Sequence, residues 1–219
     1  MTSNLHTLPF TVKIAMSESD ILEAVRHRSA AYSKELPELG TLLRQPEPFD
    51  ERAPGRELII ARSRLDGGVI GSIRLHLNYN APLPLERCID LPERLRGKRL
   101  IEATRLAVSG GLVCRSALFK ALLHFAWLHG VEECVVAARP RISIIHESLG
   151  FADLFLKNQT FPIPYANNLE HRVMTLPMVP LAFSAIALKA MKPSLHDFFL
   201  KTNHSDIDIS NALSLAPLQ

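Results

Sequence analysis

The nine residues 100–108, LIEATRLAV, constrain the fold more than any other stretch of the chain. In an extended strand Leu100, Glu102, Thr104, Leu106 and Val108 share one face, and Ile101, Ala103, Arg105 and Ala107 share the other. Both faces are mostly apolar. Such a strand belongs at the centre of a sheet with cover on each side. Glu102 and Arg105 break that pattern, since a buried charge is costly unless it finds an opposite charge and hydrogen bonds. One segment thus predicts an α/β core and marks where charge is held inside it.

The flanking sequence supplies the other elements. A strand over 10–15 leads to Ser17, an N-cap with Asp20 three residues on as a variant capping box. The helix that follows puts Ile21, Val25, Arg28 and Tyr32 on one stripe, where the arginine is out of place. Residues 36–56 read as a long loop with room for a helical turn. Strands over 57–64 and 69–77 flank the turn Leu65-Asp66-Gly67-Gly68 as a hairpin, with Ser72, Arg74 and His76 on one face of its second strand. A loop over 78–99 and the central strand 100–109 come next, then Gly110-Gly111 and a helix over 112–129 closed by Gly130. A strand over 133–138, a short helix between Pro140 and Gly150, and strands over 151–156 and 171–176 complete the pattern. An apolar helix over 181–191 leads into a polar tail expected to fray. This order predicts an α/β fold with a mixed central sheet and helices on both faces. It is expected to form one domain unit, 1–177, with a C-terminal helical extension over 178–219.

Composition narrows the function. The formal charge of +3 is too small to make nucleic acid the expected partner. Its distribution is more informative: between residues 87 and 115 seven basic side chains (Arg87, Arg94, Arg96, Lys98, Arg99, Arg105, Arg115) face three acids (Asp90, Glu93, Glu102). A patch of that kind gathers anionic partners, unless it is only a solvated loop. Cys88, Cys114 and Cys134 are too scattered for a disulfide framework or a CxxC metal site and read as small core residues in a reducing compartment. MTSNLHTLPF lacks the basic and apolar regions of a signal peptide, and the run 178–191, interrupted by Lys189, is too short to span a bilayer. A soluble, cytoplasmic protein is the expectation. No metal-binding helix motif, nucleophile elbow or phosphate-binding P-loop is present, and no metal is expected.

The misplaced charges have two readings. One is a purely stabilising ion-pair network in which Arg28 and Arg74 satisfy Glu102. The other is a substrate site, with Glu102 as base and an arginine gripping a carboxylate in a two-pronged pair. Residues 102 and 105 point to opposite faces of a regular strand, so a bulge is needed for all these charges to meet. Asp50, with Glu47 three residues before it, adds negative charge from the loop. Ser109-Gly110-Gly111 ahead of a helix, with Arg115 one turn in, reads either as a turn or as a phosphate-binding helix start.

Two stretches resemble the acyl-CoA N-acyltransferase superfamily with the GNAT fold. GGVIGSIRL is similar to that fold's third strand, and VVAARPRISIIHESLGF to its fifth strand and fourth helix. A narrower resemblance rests on VRHRSAAY, FDERA, GSIRL and IEATRLAV, which occur in the order seen in acyl-homoserine lactone synthases and N-acyl amino acid synthases. Carried over residue by residue, it implies that Arg28, Asp50, Arg74, Glu102, Thr104 and Arg105 are functional. It implies catalysis by Glu102, Thr104 and Arg105, with Arg28, Asp50 and Arg74 binding substrate.

The implied reaction passes a fatty acyl group from a thioester to an amine. The usual coenzyme A pyrophosphate motif is not intact, which suits an acyl carrier protein as donor, with CoA as the alternative. No other cofactor is implied. Arg94, Arg96, Lys98, Arg99, Gly110, Gly111 and Arg115 are then the expected donor-binding residues. No tryptophan occurs between Ser29 and Gly40, where lactone synthases carry one, so an amino acid ranks above S-adenosylmethionine as acceptor. The rivals are a homoserine lactone synthase and a non-catalytic carrier-protein or lipid-binding module. Segment 178–200 is expected to pack as a helix, to wall the acyl chain, or to touch a membrane surface.

Overall fold

The first helix shows how local sequence sets the frame. β1 (Phe10–Ile14) leads into α1 (Glu18–Ser33) through Ser17, whose hydroxyl accepts the Asp20 N–H at 3.1 Å. The Asp20 carboxylate accepts the Met16 N–H and pairs with Arg62 at 2.9 Å, fastening the helix start to β2 (Arg56–Ser63). The structure, a computed structural model, describes residues 7–212. Within them the chain forms two compact units: residues 7–75 with Thr104–Phe125 and 202–212, and His76–Ala103 with Ala126–Lys201. The divisions fall inside β3 (Val69–Leu77) and β4 (Leu100–Val108), so each unit holds part of both strands.

In the first unit β1 runs antiparallel to β2, from Phe10↔Ser63 to Ile14↔Ile59, and β3 lies on the far side of β2. α2 (Pro37–Leu42) occupies the long loop, where a helical turn is expected. Val12, Ile59, Ile60, Ala24 and Val25 are fully buried, the result of alternation in the strands and the helical stripe. α3 (Gly111–Leu128) is long and apolar enough to cross a membrane, but Cys114, Ala117, Leu118, Ala121 and Leu122 make it a buried core helix. The tail is not frayed over its described residues. β9 (Ile207–Asp208) adds to β1 in parallel, and Asp206 accepts the Leu8 N–H at 2.7 Å. A two-residue strand has no periodicity to betray it.

In the second unit β5 (Glu133–Ala138) is parallel to β4 and antiparallel to β8 (Leu169–Pro177). A parallel neighbour requires a crossover connection, here α3. The β4–β5 ladder runs from Leu100↔Glu133 to Glu102↔Val135, and β5 continues along β8 to Ala138. β8 also takes β6 (Ala152–Asp153) and β7 (Thr160–Ile163). β6 is shorter than the strand expected over 151–156. β7 lies in what reads as a polar loop, and its Pro162 fits a short strand paired on one side. α4 (Pro140–Glu147) begins at its proline as expected. α5 (Pro180–Ala190) and α6 (Pro193–Leu200) pack through Phe183 and Phe199, and Trp127 donates to the Met178 carbonyl at 2.7 Å. Parallel and antiparallel pairs occur in both units, so the α/β fold with a mixed sheet and helices is as expected.

Candidate active site

The first unit gathers five of the expected residues around a sixth. Arg28, on the buried stripe of α1, grips Asp50 with both arms, Nη1 to Oδ1 and Nη2 to Oδ2, each at 2.7 Å. Arg74 on β3 donates from Nη1 to Glu47 at 3.1 Å and to Asp50 at 3.2 Å, and from Nε to the Thr104 hydroxyl at 3.2 Å. Arg105 takes Glu47 in a second two-pronged pair, at 2.9 and 2.7 Å. The Glu47 N–H closes onto Asp50 at 2.7 Å, and the Arg74 guanidinium lies over the Phe49 ring.

Arg105 reaches this cluster because its backbone is left-handed, φ 54°, in the middle of β4. That conformation is uncommon for a residue with a side chain and breaks the strand's alternation. Thr104 and Arg105, expected on opposite faces, both contact the cluster.

Three guanidiniums meet two carboxylates, leaving a net positive site. Burial pushes the Asp50 carboxyl up, but the Arg28 guanidinium, the Glu47 N–H and Arg74 together outweigh it and hold the group below the ordinary carboxylate range. Glu47 is the same: burial raises it, and Arg105 above all, then Arg74 and Arg28, bring it down. Arg74 moves down from its ordinary value: desolvation lowers it, Glu47 and Asp50 raise it, and the neighbouring Arg105 and Arg28 lower it further. The carboxylates that hold Arg28 and Arg74 are thus Asp50 and Glu47. Glu47, which the sequence offers only as an adjunct to Asp50, is the hub.

Glu102 has its own setting in the second unit. Its side chain is wholly buried, 0% exposed. One carboxylate oxygen accepts the Leu85 N–H at 2.8 Å and the other accepts the Tyr165 hydroxyl at 2.7 Å. Leu83, Leu85, Leu100, Val135 and Ile163 form a tight apolar cluster in this unit. Tyr165 escapes the sequence reading because it lies in the loop between the short strand β7 and β8. Its signal was Asn167-Asn168, two residues that tolerate a left-handed backbone and here close the turn at φ 58° and 54°.

The expected donor-binding residues divide. Arg94 and Lys98 converge on Glu133 at 2.8 and 2.9 Å, and Thr175 donates to the same carboxylate. Burial raises the Glu133 carboxyl and these three donors more than reverse it. A glutamate opening the apolar run ECVVAA was the available signal. Arg99 lies against Gly130, while the Arg96 side chain is 81% exposed and pairs with the exposed Glu93 at 3.5 Å. In the first unit the Gly110 N–H is taken by the Ile70 carbonyl at 3.1 Å, Gly111 has φ 72°, and Arg115 is half-buried one turn into α3. Among the described residues no group of His, Cys, Asp or Glu is arranged to hold a metal ion. Burial pushes the Cys114 thiol up to about 12 and raises Cys134 as well, which suits inert core residues.

Comparison with known proteins identifies the family. The family model for the N-acyl amino acid synthase FeeM matches residues 24–162, more than half of the chain, and spans both charged groups except Tyr165. No curated protein matches the sequence significantly. The solved structure of FeeM, from uncultured soil microbes, is 14% identical with a TM-score of 0.61, covering 80% of this chain and 93% of that one. The CoA-dependent acyl-homoserine lactone synthase BjaI, solved with SAM and isopentyl-CoA, is 14% identical with a TM-score of 0.54, covering 84% and 92%. A putative N-acetyltransferase from Lactobacillus plantarum is 12% identical with a TM-score of 0.55, covering 78% and 100%. These structures share the acyltransferase fold. The chain belongs to the FeeM N-acyl amino acid synthase family and is an N-acyltransferase.

Proposed function

We propose that the enzyme transfers a fatty acyl group from an acyl carrier protein thioester, or CoA, to the amino group of an amino acid. The amine attacks the thioester carbonyl, the C–N bond forms, the C–S bond breaks, and the proton lost from nitrogen goes to the Glu102 side. The observation that carries this reading is the wholly buried Glu102 carboxylate, which accepts the Leu85 N–H and the Tyr165 hydroxyl. A carboxylate on this strand can take up the proton that the amine loses. Within the first unit, the cluster of Arg28, Arg74 and Arg105 supports recognition of an anionic substrate group.

A carrier-protein donor is supported by the exposed Arg87, Arg96 and Arg99. It is supported too by the local bonding of Gly110, which leaves that amide unavailable to a pyrophosphate. The outer face of α5, with Leu181 83% exposed, Leu188 exposed and Lys189 alongside, supports contact with an anionic lipid surface. The three free thiols suit a reducing compartment, and we assign the enzyme to the cytoplasm.

The test is to incubate the protein with decanoyl acyl carrier protein or decanoyl-CoA and a mixture of the common L-amino acids, and to identify products by mass. An N-decanoyl amino acid is expected. Product formed only when S-adenosylmethionine is added would establish lactone synthesis instead, and thioester binding without any turnover would establish a binding module.

A further inference from the structure

A base that no solvent touches takes a proton through a neighbour that can itself carry one. The Tyr165 hydroxyl is such a group: it donates to the Glu102 carboxylate at 2.7 Å, and its side chain is half-buried where Glu102 is fully buried.

Both supports of this pair are rigid. Tyr165 sits in a 3-10 turn, Pro164–Ala166, between β7 and β8. The Asn167 N–H returns to the Pro164 carbonyl at 3.2 Å, and the Asn168 N–H to Ile163 at 3.0 Å. Ile163 and Ala166, on either side, are anchored in the same apolar cluster as Leu85 and Leu100. Leu85 is fixed in turn, since Leu83 and Leu85 are fully buried and the Leu83 N–H is capped by Glu86 at 2.7 Å. A tyrosine held only for packing would not need its oxygen aimed at a buried carboxylate, where an unpaired charge is so costly.

We propose that Tyr165 is the proton relay between the acceptor amine and Glu102, a role that rests on Glu102 being the proton acceptor. As the C–N bond forms, the amine gives its proton to the Tyr165 oxygen while the Tyr165 hydroxyl proton passes to Glu102. The C–S bond then breaks, and the proton returns by the same path to the leaving thiolate. Atoms and charge balance with no further reactant. Because the relay needs a protonated phenol, its ionisation sets the alkaline limit of turnover.

The experiment uses the full chain with decanoyl acyl carrier protein and the amino acid mixture. Tyr165→Phe is expected to lower kcat by about 10²-fold or more with little change in KM for the thioester. The double variant Tyr165→Phe/Glu102→Gln should be no slower than Glu102→Gln alone, since the two act as a unit. Placing 3,5-difluorotyrosine at 165, which makes the phenol more acidic at nearly constant shape, should move the alkaline limb of the kcat profile to lower pH. It also covers the case in which the phenylalanine variant fails to fold. Full activity of Tyr165→Phe, or an unmoved limb, overturns the relay while Glu102→Gln remains inactive. Full activity of Glu102→Gln overturns the underlying reading of Glu102, and the relay with it.

Discussion

Arg28 and Asp50 form a closed two-pronged ion pair, 2.7 Å on each arm, with neither side chain exposed. The pair joins the first helix to the loop before β2 through the interior of its unit. Desolvation offsets much of its Coulombic gain, so its value lies in what happens when it is broken.

Arg28→Met leaves the Asp50 carboxylate buried with a reduced set of partners and should cost about 3–5 kcal/mol in denaturant unfolding. Arg28→Met/Asp50→Leu removes both charges and should lose far less than the two single variants added together. Additive losses would show that the two side chains act independently.

Acid should weaken the protein through Glu47, Asp50 and Glu133. All three carboxyls are held below their ordinary range once their cationic and hydrogen-bonding partners overcome burial. A group depressed in the folded state contributes fully above its unfolded pKa of about 4 and loses that contribution as pH falls through the folded value. Melting temperature should therefore hold between about pH 7 and 5 and drop below about pH 4. Glu133→Gln should show a shallower acid slope than the native chain.

The basic segment splits into charges anchored on a buried partner and charges exposed at the surface. Arg96 is exposed and pairs with the exposed Glu93, so Arg96→Glu should weaken binding of acyl carrier protein in a salt-sensitive way at unchanged melting temperature. Arg94→Glu should also destabilise the fold, because Glu133 loses a partner and faces a like charge. Titration calorimetry at low and high salt, beside thermal melts, separates the two effects.

Gly110 and Gly111 are required by geometry. A Cβ on Gly110 would lie 2.8 Å from the Cys114 Cβ and from Ile70 Cδ1, and Gly111 adopts φ 72°. Gly110→Ala should cost about 1–3 kcal/mol through overpacking. Gly111→Ala should cost about 1–2 kcal/mol through backbone strain alone. Chemical denaturation of both variants checks the order.

Much of this architecture is legible in local pattern. The two-faced apolar strand at 100–108, the hairpin around Gly67-Gly68, the cap at Ser17, the helix start at Pro140 and the stripe carrying Arg28 each follow from period and turn chemistry. The charges at 28, 74, 102 and 105 are legible as misfits, because a buried charge contradicts the pattern around it. Their pairing is not. Glu47 becomes the hub only through the left-handed backbone at Arg105 and the fold of the loop over Phe49. Tyr165 meets Glu102 across a sequence separation of 63 residues, through a hairpin with no alternation to read. β9 is invisible for the same reason: its partner, β1, lies at the other end of the chain.

The central claim is that Glu102 accepts the proton released on acylation. Single-turnover transfer of a decanoyl group from acyl carrier protein to the amino acid mixture, native chain against Glu102→Gln, tests it most directly. The account predicts a native melting temperature, an intact thioester-bound complex, and a loss of about 10²–10⁴-fold in the transfer rate for the variant. Transfer by Glu102→Gln at the native rate would contradict it.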